Sequence, residues 1–260
     1  MLKVRAYGSS GPQVVVIHGG PGACGSMAPI ARSLADSFRV LEPFQSSGSS
    51  TVAAHVADLH EVVTTCSSST PALVGHSWGA MVSLAYAAAH PDSAGPIVLI
   101  CSGTFDLAAR DQFSINLSER KKDEGARQRF ERALQIPDPN DRFRELGKQT
   151  LELYSYDLAT TDQEIDESEP GCNESTWNDM VRLQNEGVYP SAFAAIKSPV
   201  FMLHGTADPH PGQMIRASLE PYIPQLEYRE WDRCGHYPWL EKAARDEFFS
   251  VLRNWLRNRT

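Results

Sequence analysis

Cysteine is scarce and unpatterned. Its five residues, at 24, 66, 101, 172 and 234, are odd in number, widely spread and free of any C-x-x-C pair. That excludes a disulfide framework and a cysteine-built zinc site. The chain also lacks any apolar run near the ~20 residues a membrane span requires; its longest candidates, Val14–Ile17 and Pro96–Cys101, have the length of buried strands. Positive charge is short as well. Acids outnumber bases by 32 to 24, a net charge of −8, so no face of clustered Lys and Arg is expected against nucleic-acid phosphates. Met1-Leu2-Lys3-Val4-Arg5 has neither the apolar stretch nor the cleavage site of a secretory signal. No repeat of 20–50 residues is visible. The expectation is a soluble cytoplasmic protein with reduced thiols.

What the 260 residues do hold is an alternation of apolar β-type runs and helical patterns, with 42% apolar residues to build a sizeable core. Val14–Ile17 reads as a strand and runs into His18-Gly19-Gly20-Pro21-Gly22; Ser26 is then placed to cap a helix carrying Ile30, Leu34 and Phe38. Arg39–Phe44 is a second strand, and Thr51–Cys66 a helix with Val52, Val56, Leu59 and Val63 on one stripe. Further strands are expected at Pro71–Gly75, Pro96–Ser102, Pro199–His204 and Gln225–Trp231, with helices over Trp78–His90 and Trp239–Arg257. Such alternation predicts an α/β fold, a mostly parallel sheet with helices on both faces. The dozen residues before Val14 leave room for one more strand rather than a hairpin, so about seven strands are expected.

One segment breaks the rhythm. Between Ser102 and Pro199 there are helical stretches but no convincing strand, so residues 1–102 and 199–260 are expected to form the core domain and 103–198 a helical cap over the C-terminal edge of the sheet. Glu119–Arg132 mixes both charge signs and reads as an exposed helix. Glu145–Met180 holds ten acids (145, 152, 157, 162, 164, 166, 167, 169, 174 and 179) against one base, Lys148.

Gly75-His76-Ser77-Trp78-Gly79 fits G-x-S-x-G, with the strand Leu73–Val74 leading in and a helix bearing Ala80, Met81, Leu84 and Ala85 leading out. That strand–turn–helix context pushes the Ser77 hydroxyl clear of the sheet. A serine hydroxyl needs a general base, itself oriented by a carboxylate. His236, after the last predicted strand, and Asp208, after the one before it, fall in the required chain order. Asp106 is the alternative acid. Among the other histidines, His204 ends a strand, His210 is expected to open a helix, His55, His60 and His90 read as helical, and His18 and His76 flank the site as supports. The spacing of His204, Asp208 and His210 is compatible with a metal site, but no second group of ligands accompanies it. Oxyanion donors are expected from the backbone N–H of Trp78 and of Gly20, with Gly19 as the register alternative. No phosphate loop is present, since the Lys and Ser/Thr that follow one are absent.

His18–Gly22, Gly75–Gly79, Asp208 and Gly235–His236, taken in this order, resemble the α/β-hydrolase superfamily over nearly the whole chain. His-Gly-Gly-Pro-Gly with Ser-Trp-Gly resembles its proline iminopeptidase branch. Where that branch carries Asp-Gln-Arg-Gly, this chain has Glu42-Pro43-Phe44-Gln45-Ser46-Ser47-Gly48, without the Arg. The resemblance implies Ser77 as nucleophile, His236 as base, Asp208 as acid, and Gly20 with Trp78 as the oxyanion pair. It also implies that carboxylates of the cap bind a free amino group. The expected function is that of a serine hydrolase cleaving a small ester, amide or related acyl bond without metal or organic cofactor. A proline iminopeptidase-type aminopeptidase and a non-catalytic binding protein on the same fold are the alternatives. Phe105, Phe113, Tyr154, Tyr156, Trp177, Tyr189 and Phe193 supply the cap's aromatics, some of them for an apolar pocket.

Overall fold

Seven strands pair into one sheet: β1 (Val4–Tyr7), β2 (Gln13–Ile17), β3 (Arg39–Pro43), β4 (Ala72–His76), β5 (Ile97–Ile100), β6 (Val200–Gly205) and β7 (Leu226–Trp231). Their order is β1-β3-β2-β4-β5-β6-β7. Only β1 is antiparallel, against β3; the remaining pairs are parallel. The computed structural model describes residues 2–20, 22–46, 48–67, 70–161, 163–164 and 174–260, apart from the side chains of residues 139, 140, 143 and 144 in one helix.

The pleat sends alternate side chains to opposite faces. Val14 and Val16 of β2 pack on one side with α1 (Ala28–Leu34) and α9 (Arg245–Arg257), through Ile30, Leu34, Phe248 and Leu252. Val15 and Ile17 face the other side, with α2 (Val52–Cys66), α3 (Trp78–Ala89) and α8 (Gly212–Leu219), through Leu59, Leu84 and Ile215. Each side chain buried so completely contributes roughly 1.5–3 kcal/mol. Because α1 and α3 follow the adjacent strands β2 and β4 but lie on opposite faces, a crevice opens at the C-terminal ends of those strands, where α/β sheets bind ligands.

Between β5 and β6 the chain forms α4 (Leu107–Arg120), α5 (Glu124–Leu134), α6 (Pro139–Tyr154), α7 (Glu174–Asn185) and a short 3-10 turn, Ser191–Ala195. Among the described residues of this segment the only β pairing is a single bridge, Leu158 to Glu241. Among the described residues no helix is long and apolar enough to cross a membrane. The four described cysteines are free thiols, and Cys172 lies outside the described residues.

Several local expectations are corrected. α1 begins at Ala28 after Met27 with no side-chain cap, so Ser26 does not cap it, and Phe38 lies past its end while still filling the core. The charged stretch Glu119–Arg132 is not one helix. α4 ends at Arg120, and Asp123 starts α5 by accepting the Ala126 N–H at 2.7 Å. The last helix starts at Arg245, not Trp239, because Pro238–Leu240 forms a separate 3-10 turn whose Trp239 and Leu240 are buried. His210 opens no helix; α8 begins two residues later, after Pro211.

Candidate active site

Ser77 stands between β4 and α3 with φ 52° and ψ −116°, a conformation that L side chains rarely adopt. Its N–H donates to Ile100 O at 2.9 Å, which anchors the turn to β5. The flanking glycines are required by close approach. A Cβ on Gly75 would lie 2.3 Å from Gly79 O, and one on Gly79 only 2.1 Å from Ile17 O. The glycine spacing of the motif therefore lets α3 sit directly on β4 and β2, and the serine between them is lifted over the edge.

β6 and β7 run side by side, so the loops that leave them bring Asp208 and His236 together across 28 residues. His236 Nδ1 lies 2.7 Å from Asp208 Oδ2, and both side chains are buried. Burial alone would raise the Asp208 pKa, but the imidazoles of His236, His210 and His204 hold it well below the usual carboxylate range. An ionised carboxylate only accepts hydrogen bonds, so Nδ1 of His236 carries the proton and Nε2 is left as the acceptor. Burial holds the His236 pKa below the ordinary imidazole value, with Asp208 pulling the other way. His236 is pinned through its backbone too: its N–H donates to Tyr154 O at 2.9 Å and its carbonyl accepts His76 Nε2–H at 3.0 Å. No hydrogen bond joins Ser77 Oγ to His236 among the described residues; such bonds often tighten only around substrate.

His210 is the member that sequence reasoning missed. Its backbone N–H and its Nδ1–H both donate to Asp208 Oδ1, at 2.8 and 3.0 Å. Its ring stacks on His236 with centroids 4.8 Å apart, and on Phe113 at 4.2 Å. The available signal was Asp-x-His itself, since an Asp side chain commonly accepts the N–H two residues on. His204 Nε2–H donates to His210 O at 2.9 Å. Of the atoms that suggested metal ligation, both Asp208 oxygens are taken by His210 and His236, and His204 Nε2 by a backbone carbonyl. Asp106 is occupied elsewhere, capping α4 by accepting the Ala109 N–H at 2.8 Å.

The glycine turn after β2 lies beside the serine. A Cβ on Gly19 would come within 3.2 Å of Ser77 Cβ, and Gly20 holds φ 113°, where a Cβ would meet Gly22 N at 2.5 Å. The backbone N–H groups of Gly20 and Trp78 have no acceptor among the described residues; Pro21 lies outside them. Gln45, from the loop after β3, ties the two segments together. Its Oε1 accepts the Trp78 indole N–H at 2.8 Å, its Nε2 donates to His18 O at 2.9 Å, and its backbone N–H donates to His18 Nε2 at 3.1 Å.

Ser77, His236, Gly19 and Gly20 face one cavity of about 600 Å³. Its apolar wall includes Met81, Phe113, Phe130, Leu146 and Trp177. Of the expected aromatics, Phe113, Tyr154 and Trp177 face this space. Phe105 and Phe193 pack edge to face in the core, Tyr189 stacks on Phe193, and Tyr156 is exposed. Phe130, on α5, joins the wall unforeseen. Six of the ten acids of Glu145–Met180 are described, and none of the six lines the cavity; Asp162, Asp166, Glu167 and Glu169 lie outside the described residues. Glu152 pairs with Arg129, Asp157 with Lys242, Glu164 with Arg32 and Asp179 with Arg182.

No curated protein matches the chain. Among solved structures, an esterase from Thermogutta terrifontis is similar over 99% of this chain and 93% of its own, at 21% identity and a TM-score of 0.66. An esterase from Exiguobacterium antarcticum covers 98% and 95%, at 15% identity and a TM-score of 0.65. A proline iminopeptidase from Mycobacterium smegmatis covers 98% and 94%, at 17% identity and a TM-score of 0.60. At these identities the likeness is one of fold. The sequence model of the alpha/beta hydrolase family matches residues 14–251. The chain belongs to the alpha/beta hydrolase family, and its site is to be read as that of a hydrolase.

Proposed function

We propose that the protein is a serine hydrolase that cleaves a small ester, amide or related acyl bond through an acyl-enzyme on Ser77. The observation that carries this reading is the 2.7 Å pair of His236 and Asp208, with His236 on the same cavity as the strained Ser77. In the first half-reaction Ser77 Oγ attacks the acyl carbon while His236 Nε2 takes its proton. The oxyanion is received by the N–H groups of Gly20 and Trp78, with Gly19 as the register alternative. Donors of this kind are each worth on the order of 10²–10³ in rate. Collapse expels the alcohol or amine, which leaves with the proton from His236. Water then attacks the acyl carbon as His236 takes its proton, and collapse releases the acid while His236 returns that proton to Ser77 Oγ. Asp208 stays ionised throughout, holding the tautomer and the charge of the ring.

In this reading the α4–α7 segment is a cap that closes the cavity, and Phe113, Phe130, Leu146 and Trp177 receive the apolar part of a small-molecule substrate.

The test is a paired rate assay with a Ser77→Ala control: a short-chain p-nitrophenyl ester beside a free proline p-nitroanilide. Ester turnover that disappears in Ser77→Ala is the expected result. Turnover of the anilide, lost when its amine is blocked, would replace this reading by an aminopeptidase. Turnover retained in Ser77→Ala would overturn the mechanism. A fluorophosphonate adduct on Ser77 with no acyl turnover would point to a binding protein.

A further inference from the structure

The turn that leaves α6, residues 153–157, is gripped from two sides by charged side chains from distant parts of the chain. Arg120, the last residue of α4, donates from Nη1 to Leu153 O at 2.5 Å and to Ser155 O at 3.3 Å. Its Nη2 donates to Ala207 O, in the loop that carries Asp208. Glu241, fully buried after β7, does the complementary work. Its Oε1 accepts the N–H groups of Tyr156 at 2.8 Å and Gly235 at 2.9 Å, and its Oε2 accepts that of Asp157 at 2.7 Å. Gly235 immediately precedes His236. One charge thus takes the carbonyls of the turn and reaches the acid loop, while the other takes its amides and reaches the base loop.

Ordinary salt bridging does not explain this arrangement. Neither side chain forms an ion pair among the described residues; each spends its charge on three backbone groups, the strong charge-assisted kind of hydrogen bond. Burial pushes the Arg120 pKa down, and the negative charges of Asp208 and Glu241 act against that. The turn itself reaches the site, since Tyr154 O accepts the His236 N–H and the Tyr154 ring lies edge-on to His236 at 5.4 Å.

We propose that Arg120 and Glu241 are positioning residues: a clasp that uses the 153–157 turn to hold the Asp208 and His236 loops at their mutual distance. The helical segment between β5 and β6 is then a structural part of the triad and not a separable lid. This rests on the serine-hydrolase reading of the site.

The experiment compares wild type with Glu241→Gln, Arg120→Met, Arg120→Lys and the double variant Glu241→Gln/Arg120→Met, with Ser77→Ala as the zero and Lys197→Ala, at an exposed pair with Asp92, as a control. Gln presents an amide NH₂ to backbone donors, and Met presents nothing to three carbonyls. Each is expected to lower kcat about 10²-fold, the cost of a small misplacement of reacting groups, with KM changed less than threefold. Arg120→Lys keeps the charge without the fork and is expected to recover about half of that loss on a logarithmic scale. The double variant should lose far less than the product of the singles, because both act through one turn. Proton NMR gives a readout independent of turnover: the downfield resonance of the proton between His236 Nδ1 and Asp208 should move upfield or broaden in each variant and stay in Lys197→Ala. A kcat within twofold of wild type, or an unmoved resonance in both Glu241→Gln and Arg120→Lys, overturns the clasp. Turnover retained in Ser77→Ala overturns the hydrolase reading instead and leaves the resonance to judge the clasp. If Arg120→Met does not fold, Arg120→Lys gives the same two readouts.

Discussion

Gln45 Oε1 accepts the indole N–H of Trp78 at 2.8 Å, while Gln45 Nε2 donates to His18 O. One side chain thereby ties together the two segments from which the proposed mechanism draws its oxyanion donors. Gln45→Leu leaves the Trp78 N–H and the His18 carbonyl without these partners. The expected outcome is a loss of about 1–3 kcal/mol of stability and a kcat reduced about tenfold, with KM little changed. Urea unfolding and steady-state kinetics check both; an unchanged kcat would separate Gln45 from the donors.

Ser77→Gly separates strain from chemistry. A side chain held in the sparsely populated region that Ser77 occupies costs about 1–3 kcal/mol, and glycine relieves it at the price of a more flexible unfolded chain. The variant should be more stable than wild type by about 1 kcal/mol while losing all turnover. Equal or lower stability would show that the serine contributes contacts that outweigh its backbone strain.

In the proposed mechanism His236 serves as base, which requires its neutral form. Because burial lowers its pKa, kcat/KM should rise with pH through a midpoint below the ordinary imidazole value of about 6.5 and be level at neutral pH. Asp208 is the group pulling that pKa upward, so Asp208→Asn should move the limb lower still while cutting kcat about 10⁴-fold. A limb centred above pH 7 in wild type, or one that Asp208→Asn moves upward, would contradict the assignment.

His18 carries a stability prediction. It is fully buried, donates Nδ1–H to Gly19 O and accepts the Gln45 N–H at Nε2, so it folds neutral, and burial takes its pKa down to about 4. The unfolded chain, with an imidazole near 6.5, binds the extra proton first. The stabilising contribution is therefore complete above about pH 6.5 and is lost as pH falls toward 4, about 3 kcal/mol in all. The lowered pKa values of His76, His204 and His236 act in the same direction. Unfolding free energies at pH 7 and 4.5 should show the loss, and His18→Asn should show a smaller one; an equal slope in the variant would assign the effect to the other rings.

The α/β alternation, six of the seven strands to within a residue or two, and the serine elbow were legible in order along the chain. Each is a local property: apolar runs, helical stripes, and glycines where a Cβ would collide with Ile17 O or Gly79 O. Local signals failed where two segments compete. Trp239 and Leu240 fit the helical stripe of α9 but are drawn into a separate buried turn, and His210 reads as a helix start until Asp208 claims its N–H.

By itself the sequence determined the fold and the short list Ser77, Asp208 and His236, because strand ends and turn chemistry are written within a few residues. Only the tertiary structure decided how those residues are held: Asp208 among three imidazoles, Gln45 between the turn after β2 and Trp78, and Arg120 with Glu241 around one turn. The long-range contacts among these join positions 27 to 87 residues apart. Apart from Asp-x-His, nothing near these residues along the chain foretells such contacts, because a buried polar group is satisfied by whatever the packing of distant elements brings within about 3 Å.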